Sequence, residues 1–512
     1  MRRLSLFGAV LALLAIVYAV AWGTGSSATQ AAATASPRSA DVTSVSRACP
    51  PPGPDTGKAS VALVSAPAQT GTARTGTART GTAHTGTAQT GTATLGAVPS
   101  AATKTSAKTS AKAGAKAPAG SVTAPALADA AALLTAPQAA QYGGTQVATT
   151  GQLAEGFEAE DATATGIGMV TCGHPSADAW FVGTGQQAGA PDIWLYLTNT
   201  GAMSASVNVT MFTDAGVQNG LTDGITVPAH QYVSVNLAKY VAGSTVLAVH
   251  VQTSSGQVAA NVWEDGGGSG GAWLPVAASP ATQLVIPGLA AAGSTAKLFV
   301  TVPGPQDAQL KVTALTAQGK FLPFGTTALD APAGASSSFP LSSLGASAAA
   351  LVLTSNVPVT AGVLVPGSGI GGFTAAVAPV TEQGVVAGNP AGGGLTTGLV
   401  LSAPGTSVRV SVEIISSGNP ERSSLTPQPR SYTVKAGHTL GVTVSPPKGD
   451  KGTFAIVLTP EKGSGPLYAA RVVLAGAGGG LSGTLRSLLP VPSALTTIQL
   501  PSATDTYSAV LP

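Results

Sequence analysis

Three segments, spaced about 100 residues apart, repeat one pattern. They are SASVNVTMFTDAG (204–216), DAQLKVTALTAQG (307–319) and TSVRVSVEIISSG (406–418). Each alternates apolar and polar residues and closes on a glycine. In the third, Val408, Val410, Val412 and Ile414 alternate with Arg409, Ser411 and Glu413. A period of two sends alternate side chains to opposite faces, so each segment predicts a half-buried β-strand.

The same spacing carries further blocks. VPAHQYVSVNL (227–237) matches APAGASSSFPL (331–341) and VKAGHTLGVTV (434–444). LAVHVQTSSGQVAANVW (247–263), ALVLTSNVPVTAGVLV (350–365) and FAIVLTPEKGSGPLYAARVVL (454–474) each read as two strands around a turn. A strand precedes each unit: DIWLYLTN (192–199), AKLFVTVP (296–303) and TGLVLSAP (397–404). About seven short strands per unit, with no helix pattern, fit an immunoglobulin-like sandwich. The fold expected is all-β, with three tandem immunoglobulin-like β-sandwich repeats of about 100 residues after an N-terminal membrane helix. The alternative is a β-propeller, with two four-stranded blades of about 50 residues per unit. The C-terminal TTIQLPSATDTYSAVLP would then complete the last sandwich or close a ring.

Composition agrees with strands. Charged residues are 9%, against about 25% in ordinary soluble proteins, and aromatics are 4%. Cores must therefore be built from Val, Ala and Leu, and the β-branched share favours extended chain. A formal net charge of +3 is too small to argue for nucleic acid as a partner.

Residues 4–22, LSLFGAVLALLAIVYAVAW, carry no charge and follow Arg2 and Arg3. A bilayer span needs about 17–25 apolar residues, a secretory h-region about 7–15. The segment therefore reads as a membrane anchor, and the arginines place everything after it outside. A long cleaved signal is the alternative, because AAATAS (31–36) offers small-x-small sites. The expected location is the cell membrane, single-pass with the bulk extracellular, or secretion. In an oxidising compartment the two cysteines, Cys49 and Cys172, are most simply one disulfide.

Between them lies TGTARTGTARTGTAHTGTAQTGTAT (70–94), then AATKTSAKTSAKAGAKAPAG (101–120). The block 69–121 lacks apolar periodicity and is expected to be a disordered insertion, tethered at both ends if the cysteines join. Lys104, Lys108, Lys112 and Lys116 recur every four residues, but intervening Thr, Ser and Gly favour a solvated spacer over a basic helix. The chain then divides into the anchor or signal (1–25), an extracellular stalk with one strand and Cys49 (26–68), the insertion (69–121), an N-terminal β region with Cys172 (122–178), and β repeats over 179–282, 283–382 and 383–512, the last with closing strands.

The apolar N-terminus, CPPPG at Cys49, CGHPSADAWFVGTG at Cys172 and VPAH at Val227 together resemble an uncharacterised actinobacterial family of exported, membrane-anchored all-β proteins. The resemblance runs from the apolar segment to the C-terminus and is looser in the later units. It implies export, a β architecture and the cysteine pair. It implies no activity.

Candidate chemistry is thin. Gly267, Ser269 and Gly271 fit G-x-S-x-G, but no helix follows to make a nucleophile elbow. Gly367, Gly369 and Gly372 fit G-x-G-x-x-G, as do Gly478, Gly480 and Gly483, yet the βαβ unit that dinucleotides require is missing. His84 sits in the repeat string, and His174 and His438 have no partners at metal-ligand spacing. His250 alternates with Val249 and Val251 and should point away from the core. His230 aligns with Gly334 and Gly437, so that position should need a positive φ. Glu155, Glu158, Glu160 and Asp161 read as one solvated loop. Trp180, Trp194, Trp263 and Trp273 read as packing anchors, or as platforms for sugar rings if exposed. No catalytic, metal or cofactor residue is assigned. The function expected is a noncatalytic structural or interaction scaffold. Its partners would be the membrane, through the N-terminal helix, and cell-wall polymers or envelope proteins. A cell-wall glycan-binding module is the alternative, and an extracellular hydrolase a weaker one.

Overall fold

A computed structural model describes residues 38–51, 59–66, 91–101, 120–122, 132–137, 143–163, 169–186, 192–218, 221, 224–266, 270–290, 296–323, 328–341, 344, 348–416, 429–446, 453–476 and 480–500. The chain divides into two compact units, 1–40 with 497–512, and 41–496. In the first, β1 (Arg38–Asp41) pairs with β36 (Thr497–Leu500). Everything below concerns the second. Helix among the described residues is limited to single 3-10 turns at Gln152–Ala154 and Leu237–Lys239, and none is long and apolar enough to cross a membrane. The apolar segment 4–22 lies outside the described residues.

The structure is all-β. Its sheets face each other in pairs, and one pairing plan recurs four times. In the second sandwich, one sheet runs β10 (Asp178–Thr184), β16 (Val246–Ser255), β12 (Ala205–Thr213), with β13 (Gly216–Gln218) and β14 (Ile225–Val227) both on β12. The facing sheet runs β15 (Gln231–Asn236), β11 (Ile193–Asn199), β17 (Ala259–Glu264), β18 (Ala272–Leu274). Apolar residues at every second position meet between them: Leu195, Leu197 and Val262 from one sheet, Val207, Met211 and Val249 from the other. Each such fully buried side chain contributes about 1.5–3 kcal/mol.

The third sandwich repeats the plan. Its first sheet holds β19 (Ala281–Leu289), β25 (Ala349–Val365), β21 (Ala308–Thr316), β22 (Gly319–Phe321) and β23 (Leu329–Ala331). Its second holds β24 (Ala335–Leu341), β20 (Ala296–Val302), the far half of β25, and β26 (Gly372–Ala375). In the fourth, β35 (Ser493–Ala494), β27 (Gln383–Pro390), β32 (Thr453–Pro460), β29 (Val408–Ser416) and β30 (Arg430–Val434) face β31 (His438–Val444), β28 (Leu395–Ala403), β33 (Tyr468–Ala475) and β34 (Thr484–Pro490). Consecutive strands pass between facing sheets, whereas a propeller blade is built from consecutive strands.

A first copy precedes these three. β2 (Ser44–Cys49), β7 (Gly144–Gly151), β4 (Gly91–Val98) and β5 (Gly120–Val122) form one sheet. β6 (Ala132–Pro137), β3 (Ala59–Ser65), β8 (Glu158–Thr163) and β9 (Val170–Thr171) form the other. Cys49 and Cys172 are bonded and lie in the core between the sheets with Val61, Leu63, Leu95, Val147 and Phe157. Two expectations are corrected here. The segment read as a stalk supplies two strands of this sandwich. The block 69–121 is not a continuous insertion: its last TGTAT unit and LGAV enter β4, paired with β7 from Gly91 to Val98. Ala93 and Leu95 point inward and Thr94 outward, so β4 carries a period of two. Residues 69–90 and 102–119 of the block, with Lys104, Lys108, Lys112 and Lys116, lie outside the described residues.

The sandwiches pack in a closed circuit. The second meets the third through Phe299, Phe373 and Ala375. The third meets the fourth through Val400, Ala470, Val472 and Leu488. The fourth meets the first through Ala62, Val64, Val385, Ala387 and Val457. The first meets the second through Val98 and Val170 against Tyr196, Tyr232 and Trp263. Each sandwich lays its first sheet against the second sheet of the next, joined at the first-to-second junction by Val170 of β9.

Candidate functional site

Side chains with binding or acid–base chemistry gather at these junctions. The largest group is an aromatic wall on the outer face of β15, β11, β17 and β18. Register sets Trp194 opposite Trp263, and Trp263 opposite Trp273. The Trp263 and Trp273 rings meet edge-on at 5.0 Å, and Trp273 and Tyr196 lie 5.8 Å apart. Tyr232 completes the group, its N–H donating to Pro99 O at 3.1 Å while Ala101 N–H donates to Tyr232 O at 2.8 Å. The first sandwich thus covers the wall. Trp263, Trp273, Tyr196 and Tyr232 are buried, and Trp194 stays half-buried. Burial pushes the Tyr196 hydroxyl up to about 12, with Tyr232 adding to the shift. Asn261 Oδ1 and Trp263 Nε1, both on this wall, have no hydrogen-bond partner.

Trp180 is also buried, on the second sandwich's other outer face. It stacks on His250 at 3.9 Å and on Phe212 at 5.8 Å. His250 does point away from the core, as its alternation predicts. Its Nε2 lies 2.6 Å from Asp178 Oδ1, and Ser279 Oγ donates to Asp178 Oδ2 at 3.3 Å. The carboxylate stands between serine and imidazole. A serine nucleophile needs the imidazole in the middle, so this trio has the wrong order for acyl transfer.

The acidic run corrects the loop expectation outright. Glu158, Glu160 and Asp161 lie in β8 and are buried. Arg47 Nε donates to Glu158 Oε1 at 3.3 Å, and Ala387 N–H of the fourth sandwich donates to Glu160 Oε1 at 2.9 Å. Burial pushes the Glu160 carboxyl up to about 8, with Arg471 pulling it down and Glu158 pushing it further up. Burial likewise raises Glu158 against the pull of Arg47. Arg471 is fully buried, donating to Met169 Sδ at 2.9 Å and Ser487 Oγ at 3.4 Å, and burial lowers its pKa. Sequence reading missed Arg471, because a single arginine inside a strand pattern gives no sign of which face it takes. It also missed Glu264, buried at the end of β17 and bonded by Thr184 Oγ1, where desolvation lifts the carboxyl to about 8.

The remaining candidates disperse. His230 has φ 53°, the one positive value outside glycine among the described residues, and its counterparts Gly334 and Gly437 have 65° and 74°. His174 is exposed, and His438 Nδ1 lies 2.8 Å from Ala436 O. Gly369 sits at a turn with φ 67°, followed by the strand β26 and no helix. Gly271 lies against Trp263, with no room for a Cβ. Gly267, Ser269, Gly478 and His84 lie outside the described residues. Among the described residues, no three His, Cys, Asp or Glu side chains are grouped to hold a metal ion.

A model of one protein family, described as a family of unknown function (DUF5719), matches residues 121–445. The chain belongs to that family. The match covers most of the circuit, from β5 through β31 of the fourth sandwich. No curated protein matches the chain. Among solved structures, the tandem CBM22-1–CBM22-2 domain of Paenibacillus barcinonensis Xyn10C is 11% identical. That likeness covers 56% of this chain and 98% of the other, at a TM-score of 0.13, too low to bear on fold or function.

Proposed function

We propose that this DUF5719 protein is a noncatalytic scaffold of the cell envelope. Its apolar segment 4–22 tethers it, and immunoglobulin-like sandwiches form the exported body, which engages wall polymers or envelope proteins. One observation carries this reading: the side chains that could build a site are engaged between sandwiches. Trp180, Trp263 and Trp273 and the carboxylates of Glu158, Glu160 and Asp161 are buried there or in neighbouring packing. Groups held that way are taken up by packing between and within sandwiches, as a scaffold requires. Surface labelling of intact cells with a membrane-impermeant reagent tests the location. Lysines of the β-body should label without permeabilisation, and labelling only after permeabilisation would end the envelope reading.

Trp194 supports a second reading, a glycan-binding module. Its ring is half-buried beside Trp263, as a platform for a sugar face would be. Sedimentation with insoluble wall polysaccharide tests it: binding that falls about tenfold, on the order of 1.4 kcal/mol, in Trp194→Ala favours this function over a pure scaffold.

A further inference from the structure

The junction between first and fourth sandwiches differs from the other three. Its partners are the most distant in the chain, so no short linker holds them together. Among the described residues it is also the junction that buries opposed charges. Strand pairing sets Leu195 opposite Val262, Leu298 opposite Val363, and Leu399 opposite Arg471. Arg471 therefore occupies a position that is valine in the two preceding copies. Facing it from β8 is Glu160, which crosses from the first sandwich into the fourth.

The fourth sandwich is shaped to receive that carboxyl. β27 carries a register shift between Val386 and Asn389, with Gly388 at φ 67°. The shift releases Ala387 N–H from the ladder, and it donates to Glu160 Oε1. A Cβ on Gly388 would stand 3.3 Å from Ala62 Cβ, 3.5 Å from Met169 Cε and 3.8 Å from Glu160 Oε2. The two sandwiches are thus in close contact around the carboxyl. Glu160 Oε2 and Arg471 Nε, both buried, have no hydrogen-bond partner. The ionisable groups around Glu160 are Arg471 from β33, Glu158 from its own strand, and Arg47 of β2 acting on Glu158. β27 and β3 contribute none.

We propose that this junction is the latch of the circuit: it holds while Glu160 keeps its proton and parts when the proton leaves, with the other three junctions staying closed. The sign follows from burial. An open junction returns the carboxyl to water and its ordinary pKa of 4.5, while the closed one raises it to about 8. The closed form therefore binds the proton more tightly. The latch holds most firmly below the lower value and weakens as pH rises through the higher one.

Hydrogen exchange of the full chain, corrected for intrinsic rates, reads this junction by junction. Between about pH 6 and about pH 9, protection across β8 and β27 should fall about tenfold or more beyond the fall that β12 and β24 show through Glu264. Glu160→Gln should remove most of that excess fall, leaving the share of Glu158, and Glu264→Gln, which neutralises the other strongly raised carboxyl, should leave it intact. Equal protection at both pH values, a matching fall at β12 and β24, or an undiminished fall in Glu160→Gln would each overturn the latch. If Glu160→Gln does not fold, the comparison of junctions within the natural protein still decides.

Discussion

His230 illustrates how one residue can be read twice. In sequence it is a histidine beside a strand, a routine suspect for catalysis. Aligned against Gly334 and Gly437, it is a turn residue, and its φ of 53° agrees. An L-residue in this region costs about 1–2 kcal/mol, which glycine avoids, although glycine adds entropy to the unfolded chain. His230→Gly should therefore raise stability by up to about 1 kcal/mol, and His230→Val should lower it by about 1–2 kcal/mol, both seen in chemical denaturation. A large loss in His230→Gly would mean that the imidazole makes contacts that matter. Glu264 gives a second test at this scale. Its carboxyl is raised to about 8 from 4.5, so the folded state holds a proton that the unfolded state releases. Stability should fall as pH rises across that window, and Glu264→Gln should make the fall shallower. Denaturation midpoints at several pH values would show it. Some slope should remain, from Glu158 and Glu160.

At the scale of elements, alternation was enough to place the strands of three copies, because Val, Ile and Leu recur at every second position there. The first copy escaped for a physical reason. Its strands draw their period of two from Ala and Thr, in GTATLGAV and GTQVATTG, and small side chains give a weak hydrophobic contrast. Long stretches also separate β3 from β4 and β4 from β5, which breaks the hundred-residue spacing. The acidic run was misread for a related reason: EAED alternates nothing apolar but alanine, and burial of its carboxylates depends on partners hundreds of residues away, such as Ala387. The test of β4 is direct. Leu95 is buried in the first core, so Leu95→Ala should cost about 2–5 kcal/mol. Thr94 faces out, and Thr94→Ala should stay within about 0.5 kcal/mol. Equal small effects would mean that β4 is not integral to the sheet.

At the scale of the molecule, the circuit changes what a local bond is worth. Cys49 and Cys172 are 123 residues apart, and the bond joins the two sheets of the first sandwich alone. A loop of that length restricts the unfolded chain by on the order of 4–5 kcal/mol in the chain-entropy account, an upper figure because native strain and residual structure reduce it. In a string of independent domains, that loss would lower one transition and leave the others in place. Here each sandwich buries both outer faces against neighbours: the first covers the aromatic wall of the second and receives the first sheet of the fourth. Unfolding it would expose Tyr196, Tyr232, Trp263 and Val385, with a matching cost in apolar surface. The double change Cys49→Ser with Cys172→Ser should therefore lower the melting temperature of the whole body in one cooperative step. Calorimetry reads this from the ratio of van't Hoff to calorimetric enthalpy. A split endotherm, with a small early peak and the remainder at its original temperature, would show that the sandwiches melt one by one and that the circuit adds little beyond contact.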